Sequence, residues 1–167
     1  MRRHSGIAGP AVRRSPDARP ATTQEKLALV ERSYRWLQEM RDGTPGAFED
    51  AFRHDFDEKL EVCIPDVYPE GGQTFHGRQG LQRWIDTTRE VWEEWRFDVQ
   101  RLLDAGDRVL ALIRVVARGG SSGVTLDRET AHIWTVRDDR VSRCEVYLDR
   151  SEAIAAAGLH GQVGPDV

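Results

Sequence analysis

Residues 129–149 read ETAHIWTVRDDRVSRCEVYLD, and this stretch decides the fold. Two runs rich in Val, Ile, Thr, Trp and Tyr flank the polar Asp138-Asp139-Arg140, which is the pattern of a β-hairpin. Side chains alternate along a strand, so Thr130, His132, Trp134 and Val136 share one face while Ala131, Ile133 and Thr135 share the other. One ionisable ring therefore sits in a largely apolar and aromatic row. That row is the candidate wall of a small-molecule pocket, and His132 is its candidate for proton chemistry.

Just after the hairpin, Ser151 can cap a last helix that runs to about residue 157 and stops at Gly158. Before it lie two further strands, one through Phe97 and Val99 toward Leu102 and Leu103, the other over residues 109–117. They are joined by the turn Ala105-Gly106-Asp107, and a Gly- and Ser-rich link over residues 119–123 leads into the hairpin. Upstream again, Leu81, Trp84, Ile85, Thr88, Val91, Trp92 and Trp95 fall at helical spacing, so a helix is expected from about Arg78 to Glu94. Leu60, Val62 and Ile64 alternate with Glu61 and Cys63 in a half-buried strand that Pro65 stops. A loop over residues 66–72 and a short extended piece at Thr74 and Phe75 follow it.

The first helix opens on Thr22 or Thr23, with Glu25 three residues after Thr22 as in a capping box, and ends at Asp42-Gly43. Leu27, Val30, Tyr34 and Leu37 line its buried face, which turns Tyr34 inward. A second, shorter helix has Thr44 as cap, Pro45 in its first turn and Ala47, Phe48, Ala51 and Phe52 as its apolar side. Helices followed by a four-strand meander imply an α+β domain, with helices packed on one side of a bent antiparallel sheet.

The chain of 167 residues, 39% of them hydrophobic, is long enough for one well-cored domain. Residues 1–22 carry Arg2, Arg3, Arg13, Arg14 and Arg19 against Asp17, a charge of +4, so the net −4 leaves −8 on the remainder. That basic segment has few large apolar side chains and reads as a disordered tail. Residues 23–159 form the domain and 160–167 a flexible C-terminus. An acidic body is a poor partner for nucleic acid, which needs clustered Lys and Arg. No run is long and apolar enough for a membrane span, and Arg2-Arg3 is not followed by the apolar stretch of an export signal. Cys63 and Cys144 stand alone in strand patterns, as in a cytoplasmic protein with reduced thiols. No metal-ligand spacing occurs, and no cofactor is expected.

The phrase FHGRQGLQRW opening the third helix, LLDAGDRVLALIR across the first hairpin, and AHIWTVRDDRV with VYLDRSEAIAAAGL at the end resemble the SnoaL-like branch of the nuclear transport factor 2 superfamily. The resemblance covers roughly residues 23–159. It implies a cone-shaped α+β barrel of the cystatin-like kind, its sheet wrapped around the N-terminal helices over an apolar cavity, and a homodimer formed through the outer sheet face. Thr130 and Trp134, with Val62 and Ile64 from the first strand and Trp84 and Thr88 from the third helix, complete the expected pocket lining.

The superfamily hosts several chemistries, so function has to be argued at the site. Its ketosteroid isomerases use a helix-one tyrosine and a strand aspartic acid on the substrate oxyanion, and a second aspartate before a proline as proton shuttle. Alignment on HGR and the final hairpin puts Tyr34 and His132 at the first two positions but Ile64, before Pro65, at the third. Glu61 faces the other way. The limonene-type epoxide hydrolases use an Asp-Arg-Asp set, for which this sequence offers Arg114 but Val116 and Val146 at the carboxylates, with Asp149 and Glu145 as weaker neighbours. Both reactions are disfavoured. The polyketide cyclases are the nearest enzymatic analogy, with His132 as an acid/base of suitable basicity near pH 7 and Tyr34 as hydrogen-bond donor to the developing enolate.

Two functions stay open. One is a cyclase- or isomerase-like enzyme acting on an apolar carbonyl compound through His132 and Tyr34. The other is a non-catalytic module that binds a small apolar molecule and dimerises.

Overall fold

The computed structural model describes residues 19–68 and 72–164. Apart from residues 19–22, the expected basic tail lies outside the described residues, as do 69–71 of the loop and 165–167 at the C-terminus.

Helix α1 (Thr23–Asp42) begins on the capping box read from the sequence: Thr22 accepts from the Glu25 amide, and the Glu25 carboxylate accepts from the Thr22 amide. Gly43, at φ +76°, ends it in the left-handed conformation that glycine adopts without penalty. Helix α2 (Ala47–His54) starts later than expected, because Gly46 at φ +81° is its cap and Thr44 and Pro45 form a turn closed by the Ala47 amide on the Thr44 carbonyl.

Strand β1 (Phe56–Ile64) buries Phe56, Leu60, Val62 and Ile64. It pairs antiparallel with β2 (Gln73–His76). Helix α3 (Gly77–Val91) is shorter than the sequence spacing implies. Trp92 and Trp95 belong to β3 (Trp92–Ala105), where a bulge between Trp92 and Glu94 inserts one residue. The bulge turns two strand residues three apart onto one buried face, which imitates helical spacing. Then come β4 (Arg108–Gly119), β5 (Thr125–Arg137), β6 (Arg140–Tyr147) and α4 (Arg150–Ala157). Asp149, not Ser151, caps α4, accepting from the Ser151 and Glu152 amides.

The six strands form one sheet in the order β2-β1-β6-β5-β4-β3. Strands β3 to β6 are the expected meander. Strand β1, however, joins β6 in parallel, so the sheet is mixed, and its edges β2 and β3 do not pair with each other, so the barrel is open. The hairpin turn Asp138-Asp139 has both residues at positive φ, +48° and +60°, which matches the twist of the two flanking strands.

The inner sheet face packs on α1, α2 and α3 in the main core, which includes Ala111, Ile113, Val115, Trp134 and Cys144. The alternate side chains Leu110, Leu112, Ala131 and Ile133 lie under α4 in a second cluster. Both faces of the central strands are therefore buried, and the inner one holds the site.

Candidate functional site

His132 is placed by strand alternation on the inner face of β5, and Tyr34 by the buried stripe of α1. They meet as expected: Tyr34 Oη lies 2.9 Å from His132 Nδ1. The structure adds a third member, because the Trp134 indole nitrogen donates to the same Tyr34 oxygen at 3.0 Å. An indole N–H can only donate. The Tyr34 oxygen therefore accepts from Trp134. Among the described residues His132 Nδ1 is the acceptor within reach of the buried Tyr34 proton, and we assign the imidazole proton to Nε2 on that ground. Phe97 seals the group, edge-on to both Tyr34 and His132 at centroid distances of 5.5 and 5.3 Å.

Burial sets the electrostatics. His132 is 3% exposed, and desolvation of its charged form lowers its pKa from 6.5 to about 3. The ring is neutral at physiological pH. This corrects the expectation of suitable basicity near pH 7, since an imidazole held neutral by burial is a poor general base and a good donor through Nε2–H. Burial also pushes the Tyr34 and Cys144 protons to higher pKa.

His132 opens onto a small cavity of about 20 Å³, room for about one water molecule. Trp84, Trp95, Phe97 and Tyr68 give it aromatic walls, and Ile64, Val115 and Val146 give it aliphatic ones. Of the expected lining, Ile64 and Trp84 are there. Trp134 stands behind the cavity as the donor to Tyr34. Val62 packs in the core, and Thr88 is fully buried with its hydroxyl on the Ile85 carbonyl. Thr130 is also fully buried, and its hydroxyl, like the Trp84 indole nitrogen, has no hydrogen-bond partner among the described residues.

Sequence reasoning missed Trp95, Phe97, Val115 and Tyr68 as lining. Trp95 and Phe97 are two apart in an extended run, a signal that the helical reading of Trp95 concealed. The epoxide hydrolase alignment also fails on strand parity: Arg114 is on the outer face, paired with Asp127 at 2.6 Å, and its neighbour Val115 faces the cavity. Glu61 and Glu145 both pair with Arg143 on the outer face. Tyr147 packs with the cluster under α4.

No group of three or more potential metal ligands occurs among the described residues. His76 lies 3.6 Å from Glu61, and Asp55 is engaged by Arg32 and Trp36. A wider concavity beside α3, about 620 Å³, is an open surface groove whose Arg78 is paired with Glu49. No helix of the described residues is long and apolar enough to cross a membrane.

An α+β fold with helices packed on a six-stranded mixed sheet is shared with nuclear transport factor 2-like proteins of known structure. The SnoaL-like domain family matches residues 34–144, and the chain belongs to it. No curated protein matches the chain in sequence. Among solved structures it is similar to a nuclear transport factor 2-like protein of unknown function from Burkholderia pseudomallei, with 19% identity, a TM-score of 0.62, and coverage of 78% of this chain and 95% of that one. A putative SnoaL-like polyketide cyclase from Jannaschia sp. CCS1 is similar at 14% identity and a TM-score of 0.62, covering 86% of this chain and 99% of that one. A hypothetical protein from Catenulispora acidiphila with a ketosteroid isomerase-like fold, solved with trimethylamine, is similar at 17% identity and a TM-score of 0.57, covering 87% and 100%.

Proposed function

We propose that this SnoaL-like protein binds a small, largely apolar molecule through a carbonyl oxygen, with His132 Nε2–H as the donor. The observation that carries this reading is the Trp134-to-Tyr34-to-His132 relay. It spends Nδ1 inside the protein and leaves Nε2–H as the ring's remaining donor, on a residue that lines an aromatic-walled cavity. Such a site is mostly apolar with few polar groups, the usual composition of a small-molecule pocket. Its present volume of about 20 Å³ is smaller than any ring-sized ligand, so occupation is coupled to movement of the lining side chains.

Cyclase- or isomerase-like catalysis on the same compound is the second reading. A neutral imidazole donating to a carbonyl oxygen stabilises the charge that develops on enolisation, which favours it. The reaction also needs a base, and the described lining residues include no carboxylate. Binding is therefore the primary function proposed. We further infer a homodimer through the outer sheet face and a cytoplasmic setting, the latter in keeping with the free thiols Cys63 and Cys144. Sedimentation of the purified chain tests the dimer.

Tryptophan fluorescence titration with 1-indanone and with its hydrocarbon counterpart indane tests the pocket. Trp84 and Trp95 are the reporters. The wild type is expected to prefer the ketone, and His132→Phe to show a weaker preference. Equal affinity for both probes in both proteins would overturn the reading.

A further inference from the structure

Trp84 is 4% exposed, and its ring forms part of the cavity wall beside His132. It projects from α3, whose buried face is fixed by Leu81, Ile85 and Thr88, and it stands edge-on to Trp95 with ring centroids 5.4 Å apart and an interplanar angle of 84°. The other buried indole at the site, Trp134, is satisfied by Tyr34. The Trp84 Nε1–H, by contrast, donates to no group among the described residues. A buried donor without a partner is costly, and native proteins rarely keep one. An unsatisfied N–H on an aromatic cavity wall is accounted for when a ligand supplies the acceptor.

We propose that the Trp84 indole N–H is the second ligand donor of this site, beside His132 in the cavity lining. This rests on the carbonyl reading given above and narrows it. A carbonyl oxygen has two lone pairs and accepts two hydrogen bonds, so a pair of neutral donors selects ketones, quinones and lactones over hydrocarbons of the same shape. The discrimination comes from leaving two buried donors unpaired when the wrong ligand enters. Neither donor carries charge, and neither transfers a proton. Trp84 is on this account a specificity-determining residue.

The test uses the full chain labelled with ¹⁵N, in which the indole N–H signals of its five tryptophans are resolved and that of Trp84 is assigned by its loss in Trp84→Phe. Addition of 1-indanone is expected to move the Trp84 indole proton downfield, into the hydrogen-bonded range, and to leave that of Trp134 in place. Addition of indane is expected to leave Trp84 in its unbonded range. In Trp84→Phe, the preference for 1-indanone over indane is expected to fall roughly tenfold, equivalent to about 1.4 kcal/mol. If 1-indanone binds the wild type and shifts the His132 ring signals while the Trp84 signal stays put, the second donor is overturned and the carbonyl site stands. If 1-indanone binds no better than indane, the carbonyl site falls and the Trp84 proposal falls with it. A Trp84 signal already in the bonded range without any probe would also overturn the proposal, since a buried water would then be its partner.

Discussion

Tyr34 Oη and His132 Nδ1, 98 residues apart in sequence, stand 2.9 Å apart in the core and tie helix α1 to the inner face of strand β5. The contact does two things. It ties the helix to the sheet, and it leaves Nε2 as the imidazole's remaining nitrogen. Because Trp134 donates to the same oxygen, Tyr34 is the joint of a three-residue network, and losing its hydroxyl strands two partners together.

Tyr34→Phe is therefore expected to cost about 2 to 4 kcal/mol, since the Trp134 N–H and His132 Nδ1 are both left buried without a partner. His132→Phe removes one member together with its polar atoms and is expected to cost less. Urea unfolding midpoints of the two variants decide this. A smaller loss for Tyr34→Phe would contradict the network. The His132 ring should also lose its fixed tautomer in Tyr34→Phe, which ¹⁵N chemical shifts of the imidazole report.

The low basicity of His132 makes a second prediction, about acid. Its folded pKa of about 3 lies below the ordinary value of 6.5, so the unfolded chain takes up a proton that the folded chain refuses. The stabilisation is present in full above pH 6.5 and is lost as pH falls toward 3, at up to about 1.4 kcal/mol per pH unit. Asp55 and Asp104, whose carboxyls are held below their ordinary value of 3.8, add a loss of their own at lower pH. The informative quantity is thus the difference between wild type and His132→Phe from pH 6.5 to about 4.5. That difference should fall with acid, and a constant difference would show that His132 protonates freely in the folded state.

The parts of this site legible in the sequence are those that depend on simple periodicity. Alternation over residues 130–136 put His132 inward, the spacing of Leu27, Val30, Tyr34 and Leu37 put Tyr34 inward, and the two met. Periodicity fails where the backbone departs from regularity. At Trp92 and Trp95 the bulge turns a strand into an apparent helix end. At Arg114 both faces of β4 are buried on the preceding residues, so apolar pattern alone does not say which side is inward. The basicity of His132 was beyond reach for another reason. It depends on how completely Tyr34, Phe97 and Trp134 exclude water from the ring, which is a tertiary quantity.

The FHGRQGLQRW stretch makes a third prediction through its glycines. Gly77 takes φ +63° at the start of α3, and Gly80 brings that helix against β2 so closely that an added Cβ would lie 2.8 Å from the Phe75 carbonyl carbon. Backbone cannot yield there as a flexible side chain could. Gly80→Ala is expected to destabilise by about 1 to 3 kcal/mol through overpacking, despite alanine's better helix propensity. Thermal unfolding measures it, and an unchanged or higher midpoint would mean that α3 can lift from Phe75 at no cost. Because Trp84 follows one turn later, the same variant should also weaken binding of 1-indanone.

The final prediction concerns the rotation of α1, which aims Tyr34. Asp55, 4% exposed at the corner between α2 and β1, accepts from Arg32 Nε and Nη2 at 3.0 and 2.9 Å and from the Trp36 indole at 2.7 Å. Arg32 and Trp36 bracket Tyr34 on the same helix, so this one carboxylate pins α1 on both sides of Tyr34. Desolvation pushes the Asp55 pKa up, but the hydrogen bonds from Arg32 and Trp36 outweigh it and hold the group ionised. In Asp55→Ala the Trp36 N–H loses its acceptor, and the half-exposed Arg32 returns to water at little cost. The expected loss is about 2 kcal/mol, most of it from the stranded indole. Asp55→Asn keeps an acceptor for Trp36 and should recover a good part of it. If Asp55 acts only on stability, the His132 imidazole shifts of Asp55→Ala will match wild type under native conditions. If it also aims Tyr34, as its position between the two bracketing residues implies, those shifts will move toward the pattern of Tyr34→Phe.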